Sequence, residues 1–146
     1  AGLALGKLSA KDNETSDVGK VVQTNLTSLI VATSAFSKGM VSRNRGHIIN
    51  VGSIAGHEAY TGGSVYCATK HGVTAFTAAA RHDLVGTPVR VTCISPGFAL
   101  TEFSMVRFNQ DKEKADSIYK NLVPLNANDI ADQVRTFEQA TETEVS

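Results

Sequence analysis

Tyr66 and Lys70 stand four positions apart in Tyr66-Cys67-Ala68-Thr69-Lys70. In a helix, that spacing puts the phenol and the ammonium on one face, with their side chains rooted about 6 Å apart. A free phenol, with a pKa of about 10, transfers protons poorly at neutral pH. A neighbouring ammonium favours the phenolate and lowers that value, so the pair could exchange a proton with a substrate oxygen. Alone, Tyr-x-x-x-Lys is a weak signal, because two such residues often fall four apart by chance. Its surroundings strengthen it. Ser53 ends Asn50-Val51-Gly52-Ser53 ahead of the tyrosine, Pro96-Gly97 and Thr101 follow, and Asn25 lies well upstream.

The elements that position these groups can be read from periodicity. Val18, Val22, Leu26, Leu29, Thr33, Phe36 and Met40 step by threes and fours, which predicts one long helix over 16–42 with a single apolar stripe. Ser16 or Asp17 would cap its start, and Arg43 to Arg45 would place positive charge where the helix dipole favours it. His47-Ile48-Ile49-Asn50-Val51 is rich in β-branched residues and stops at Gly52-Ser53, as a buried strand would. A second helix is expected over 64–84 and a second strand over 89–94, stopped by Ser95-Pro96-Gly97. Strand, long helix, strand makes a βαβ unit, so the strands should be parallel and the crossover right-handed. Further helix is expected near Asn109 to Tyr119 and from Asp129 to about Ala140, before a polar tail over 141–146.

This order has a geometric consequence. Ser53 and Pro96-Gly97 lie just past the carboxyl ends of the two strands, where open parallel sheets bind ligands. Tyr66 and Lys70 open the crossover helix at the same edge.

Composition narrows the rest. The chain has 146 residues, close to the size of one domain, and 42% hydrophobic against 19% charged residues, so it can form a core. Fourteen basic residues balance fourteen acidic ones, which gives no support for nucleic acid or an anionic membrane as partner. No apolar run approaches the roughly 20 residues that span a bilayer. Cys67 and Cys93 fall inside regular elements and are expected to be reduced; with no secretory signal at the start, the expected compartment is the cytoplasm. Asn13-Glu14-Thr15 and Asn25-Leu26-Thr27 match the glycosylation triplet but carry little weight without secretion. His47, His57, His71 and His82 lack metal-ligand spacing, so no metal is expected.

The ordered set Asn25, Ser53, Tyr66-x-x-x-Lys70 and Pro96-Gly97 resembles the short-chain dehydrogenase/reductase superfamily in its classical form, and the match runs from Ala1 to about Ala131. The resemblance implies a partial, Rossmann-like, doubly wound parallel α/β sheet, the C-terminal half of such a domain. It implies a catalytic tetrad: Tyr66 as acid/base at the substrate oxygen, Ser53 polarising that oxygen, Lys70 on the nicotinamide ribose, and Asn25 ordering a relay water. Pro96-Gly97 would turn against the nicotinamide, with Ala99 and Thr101 beside its amide and phosphates. Ala1-Gly2 resembles the end of the family's Asn-Asn-Ala-Gly segment near the adenosine. The implied coenzyme is NADP, with NAD as the alternative, and the substrate a small alcohol or ketone. Residues 52–70 and Thr101 to Phe108 look like the NADP-dependent serine and 3-hydroxy acid dehydrogenases. Subunits of the family pair through the helices matching 16–42 and 64–84, implying a homo-oligomer, a dimer or tetramer. Gly72, Ala75, Ala79 and Ala80 fit such close packing.

One departure is large. Nothing in the chain matches the family's glycine-rich turn, which seats a pyrophosphate at a helix N-terminus. Three strands, most of a fourth and their helices would precede Ala1, so residues 1–146 are expected to form one partial catalytic domain. Two other readings remain open: a non-catalytic remnant that pairs with intact subunits, and an extended relative such as a nucleotide-sugar epimerase. The Gly52-Ser53 loop and Pro96-Gly97 fit the second of these poorly.

Overall fold

The computed structural model describes residues 2–139. Helix α1 (Thr15–Val22) runs through a π-helical turn (Gln23–Thr27) into α2 (Ser28–Ser42). Strand β1 (Gly46–Val51) follows, then a 3-10 turn (Ile54–Gly56), helix α3 (Ser64–Asp83) and strand β2 (Val89–Ile94). Three shorter pieces complete it: α4 (Phe103–Arg107), α5 (Lys112–Ser117) and α6 (Ala127–Gln139). The strands pair in parallel, in register from Gly46 with Val89 to Val51 with Ile94. This is the expected βαβ unit.

Strand alternation sorts the helices between the two faces of the pair. Asn50 points at α3, where its Nδ2 donates to Thr77 Oγ1 at 3.0 Å. Leu29, Thr33 and Phe36 of α2 border Ile48 and Asn50, so α2 covers the same face. On the opposite face, His47 meets Thr92 at 2.8 Å and feels the charges of Arg90 and of Glu138 in α6. The core follows α3. Val73 and Thr77 are wholly buried, and Thr69, Cys67 and Ala80 nearly so, with Val91 beneath them. Burying Val73 is worth about 1.5–3 kcal/mol.

The long first helix differs from expectation in two ways. It begins at Thr15 behind Glu14, and no side chain caps it, so Ser16 and Asp17 lie in its first turn. Its apolar stripe is not continuous. Val21, outside the predicted stripe, is 3% exposed, while Phe36, inside it, is 66% exposed. After Val21 the π turn interrupts the ladder, and its i→i+5 bonds rotate the residues that follow, Phe36 among them. Asn25, within that turn, is 3% exposed. A side chain so enclosed cannot carry a glycan, which removes one of the two triplets.

Gly72 serves packing inside the chain: a Cβ there would stand 2.9 Å from Leu26 Cδ2. Ala75 and Ala79 are exposed and Ala80 is buried. The tail over 141–146 lies outside the described residues. Among those described, no helix is long and apolar enough to cross a membrane, and no group of three metal-ligating side chains gathers.

Candidate active site

Tyr66 sits in the first turn of α3, so its phenol projects past the carboxyl ends of β1 and β2. Phe103 of α4 packs beside it, ring centroids 5.5 Å apart and tilted by 53°. One turn on, Lys70 is 3% exposed, with its Nζ 5.8 Å from the centre of the Tyr66 ring. That amine donates to Val51 O at 2.9 Å, at the last residue of β1. Sheet end and helix start are thereby tied by the residue whose spacing first drew notice.

Ser53 begins the loop that brings a hydroxyl to the phenol. Its Oγ accepts from Ala55 N at 3.1 Å, fixing the loop, and its hydroxyl lies close enough to the Tyr66 phenol to lower its pKa. The loop lies tight on α3 because Gly56 has no side chain: a Cβ there would stand 2.7 Å from Lys70 O. Pro96 O accepts from Ile54 N at 3.0 Å, which joins the end of β2 to the same loop.

Asn25 lies behind the lysine. Its Oδ1 accepts from Leu3 N at 2.7 Å, and its Nδ2 donates to Leu3 O at 2.7 Å and Thr69 Oγ1 at 3.1 Å. The amide thus holds the first described residues beside α3, with Gly2 3.6 Å, measured from an ideal Cβ, from Lys70 Nζ. Ser53, Tyr66, Lys70, Asn25, Gly2 and Pro96 are therefore neighbours. Ala1 lies outside the described residues. Ala99 and Thr101 join a different local network: Ala99 bridges to Leu125 and accepts from Tyr119 Oη at 3.0 Å, and Thr101 Oγ1 accepts from Phe103 N at 3.3 Å. Of the two, Thr101 touches Phe103, which packs beside Tyr66.

The electrostatics differ from the expectation that Lys70 lowers the tyrosine pKa. Burial raises the Tyr66 pKa; the Ser53 hydroxyl and the charge of Arg107 oppose that rise. Lys70 is itself pushed down by burial, with Cys93 opposing. Desolvation wins because both groups lie in the wall rather than in water.

Two residues of this site were not singled out by spacing. Arg107 is 8% exposed; its Nε donates to Gly6 O at 2.8 Å and its Nη1 to Tyr60 Oη at 2.7 Å. The available signal was a lone cation in an apolar stretch, between Met105-Val106 and Phe108. Thr69, the partner of Asn25, carried no signal beyond its place inside Tyr-x-x-x-Lys.

The residues fit a nicotinamide coenzyme on structural grounds. A Cβ on Gly97 would meet no atom within 4 Å, so packing within the described chain does not require a glycine there. Lys70 spends one donor on Val51 O and keeps others for a ligand.

Known proteins resemble this chain. A family model for short chain dehydrogenases matches residues 1–112. The NADP-dependent 3-hydroxy acid dehydrogenase of Schizosaccharomyces pombe is 46% identical over 134 residues, 92% of this chain and 52% of the yeast protein. The enzyme of the same name from Salmonella typhi is 50% identical over 135 residues, 92% of this chain and 54% of its own length. A solved structure, the closed form of serine dehydrogenase complexed with NADP+, superposes with a TM-score of 0.88 at 48% identity, covering 92% of this chain and 54% of that one. The chain spans about half the length of the curated relatives it matches.

Proposed function

The chain belongs to the short-chain dehydrogenase family, and on that premise we propose that the complete protein is an NADP-dependent oxidoreductase interconverting a secondary alcohol and a ketone, its substrate a 3-hydroxy acid or a serine-like acid. One observation carries the reading: a phenol shares a helix face with a buried amine, beside a serine hydroxyl that influences its pKa. The relatives' names point to the coenzyme and substrate class.

When bound, the coenzyme supplies or accepts the hydride, and Gly2, Tyr66, Lys70, Pro96, Gly97, Ala99 and Thr101 would hold it, with Ala1 beside Gly2. Tyr66 gives its proton to the ketone oxygen during reduction and recovers it from the alcohol during oxidation. A raised pKa keeps that proton in place until the substrate needs it. Ser53 already accepts from Ala55 N, so its own hydroxyl proton remains to polarise the substrate oxygen. Lys70, anchored on Val51 O, would grip the ribose hydroxyls with its remaining donors. Asn25 holds Leu3 and Thr69 in place behind the lysine, where it would order a relay water. Two copies would pair through α1–α2 and α3.

Titrating the complete protein with NADPH should shift nicotinamide fluorescence to the blue. Tyr66→Phe should keep that binding and lower kcat/KM by about a thousand-fold. Wild-type turnover in Tyr66→Phe would overturn the catalytic assignment. Absence of NADPH binding up to millimolar concentration would favour a remnant that only pairs with intact subunits.

A further inference from the structure

Among the described residues, Arg107 is a buried cation with no anion bound to it. Its partners are neutral oxygens: Gly6 O at 2.8 Å, Tyr60 Oη at 2.7 Å and, more distantly, Gly62 O at 3.5 Å. The guanidinium lies over the rings of Tyr60 and Phe108, 5.4 and 5.8 Å from their centroids. A guanidinium carries five N–H donors, and three are engaged. Hydrogen bonds to neutral groups satisfy donors but leave the charge uncompensated, and removing an unpaired charge from water costs several kcal/mol.

Position gives this charge a use. Arg107 and Tyr66 line the same recess, and the charge of Arg107 is felt at the phenol. Carboxylates border the recess too, Glu14 and Asp17 of the first helix. Glu14 is exposed, and Asp17 is paired with Lys20 at 3.0 Å. Neither is hydrogen-bonded or ion-paired to Arg107 among the described residues.

We propose that Arg107 determines specificity by binding the carboxylate of the substrate acid while the carbon bearing its hydroxyl faces Tyr66. The proposal rests on the acid-dehydrogenase reading above. A planar fork with spare N–H groups suits a carboxylate, and neutral neighbours leave its charge for the substrate. A neutral alcohol would leave that charge unmatched, so the recess should select acids. Arg107 also joins the segments around Gly6 and Gly62 to α4, so it is held in place before substrate arrives.

The test compares 3-hydroxybutyrate with its neutral amide, 3-hydroxybutyramide, in the complete protein. Wild type should prefer the acid by about a hundred-fold or more in kcat/KM, a charged partner being worth that much when desolvated. In Arg107→Gln the acid should lose at least thirty-fold more than the amide, mainly through KM; Arg107→Lys, which keeps charge without the fork, should lie between. Melting temperatures and NADPH binding of both variants report whether the fold survives. Equal losses for acid and amide would reduce Arg107 to a structural tie and overturn the proposal. So would an Arg107→Gln variant that keeps the acid preference, with the acid-dehydrogenase reading left standing. A wild type that favours the amide, or ignores both while still binding NADPH, would sink that reading and the proposal together. If Arg107→Gln does not fold, the Lys variant and competitive inhibition of wild type decide: butyrate should inhibit far better than butyramide, and equal inhibition would refute the proposal.

Discussion

Lys70 shows how a functional group can work against the stability of the residues around it. Its amine is buried, bound to Val51 O, and its pKa is lowered chiefly by desolvation. For a group depressed on folding, the linked stability is present above the ordinary lysine value of about 10.4 and is lost as pH falls through the folded value. At neutral pH the protonated amine is therefore a burden on the fold. Lys70→Met should raise the melting temperature at pH 7 by about 2–4 °C while impairing coenzyme binding and turnover. That advantage should shrink as the pH approaches 10. A melting temperature below wild type at pH 7 would show that the bond to Val51 O outweighs desolvation. Tyr66 has the opposite sign: its pKa is raised, so its contribution holds below about 10 and fades as pH rises further. Tyr66→Phe should accordingly lose less stability than wild type in strongly alkaline buffer.

At the scale of elements, two glycines separate packing from function. Gly56 lets the loop after β1 rest on α3, where an added Cβ would meet Lys70 O at 2.7 Å and Thr74 Oγ1 at 2.8 Å. The carbonyl belongs to a helix backbone and cannot move aside cheaply. Gly56→Ala should cost about 1–3 kcal/mol, and by lifting the loop it should also displace Ser53 and slow turnover. Gly97 has open space around it. Gly97→Ala should leave the melting temperature within about 1 °C of wild type, since surface substitutions seldom exceed ~0.5 kcal/mol, yet weaken NADPH binding. Thermal scans and NADPH titrations on the two variants give the contrast; similar profiles for both would argue against it.

At the scale of the whole molecule, the sheet has two strands among the described residues. Two-stranded units are marginal by themselves, and β1 keeps an edge that β2 does not cover. Beside it lies a groove of about 230 Å³, bordered by Leu29, Phe36, Met40 and Ile48. Val31 is 62% exposed on the outer side of α2. Residues 1–146 produced alone should therefore self-associate or precipitate, as read by light scattering after size exclusion. A monomer with a sharp, reversible melt would contradict this.

Much of the fold and the site could be read in the order of residues. β-branched runs stopped by Gly52-Ser53 and by Ser95-Pro96-Gly97 gave both strands to within a residue, because local sterics and turn chemistry decide those ends. Tyr66 and Lys70 were legible because four residues along a helix is a local distance. Asn25 stood out only within the ordered set of motifs. It lies in a π turn and is buried, and the helical stripe reveals neither, because burial depends on what packs against the helix. The direction of the Tyr66 shift was hidden too, since desolvation depends on what covers a group. The burial and contacts of Arg107 were hidden for a related reason: its bonds to Gly6, Tyr60 and Gly62 span long stretches of chain. Sequence alone therefore determined which groups exist, which elements carry them and which edge of the sheet they share. Tertiary structure decided which charges are buried and what stands beside them, because burial and long-range contact belong to packing between elements.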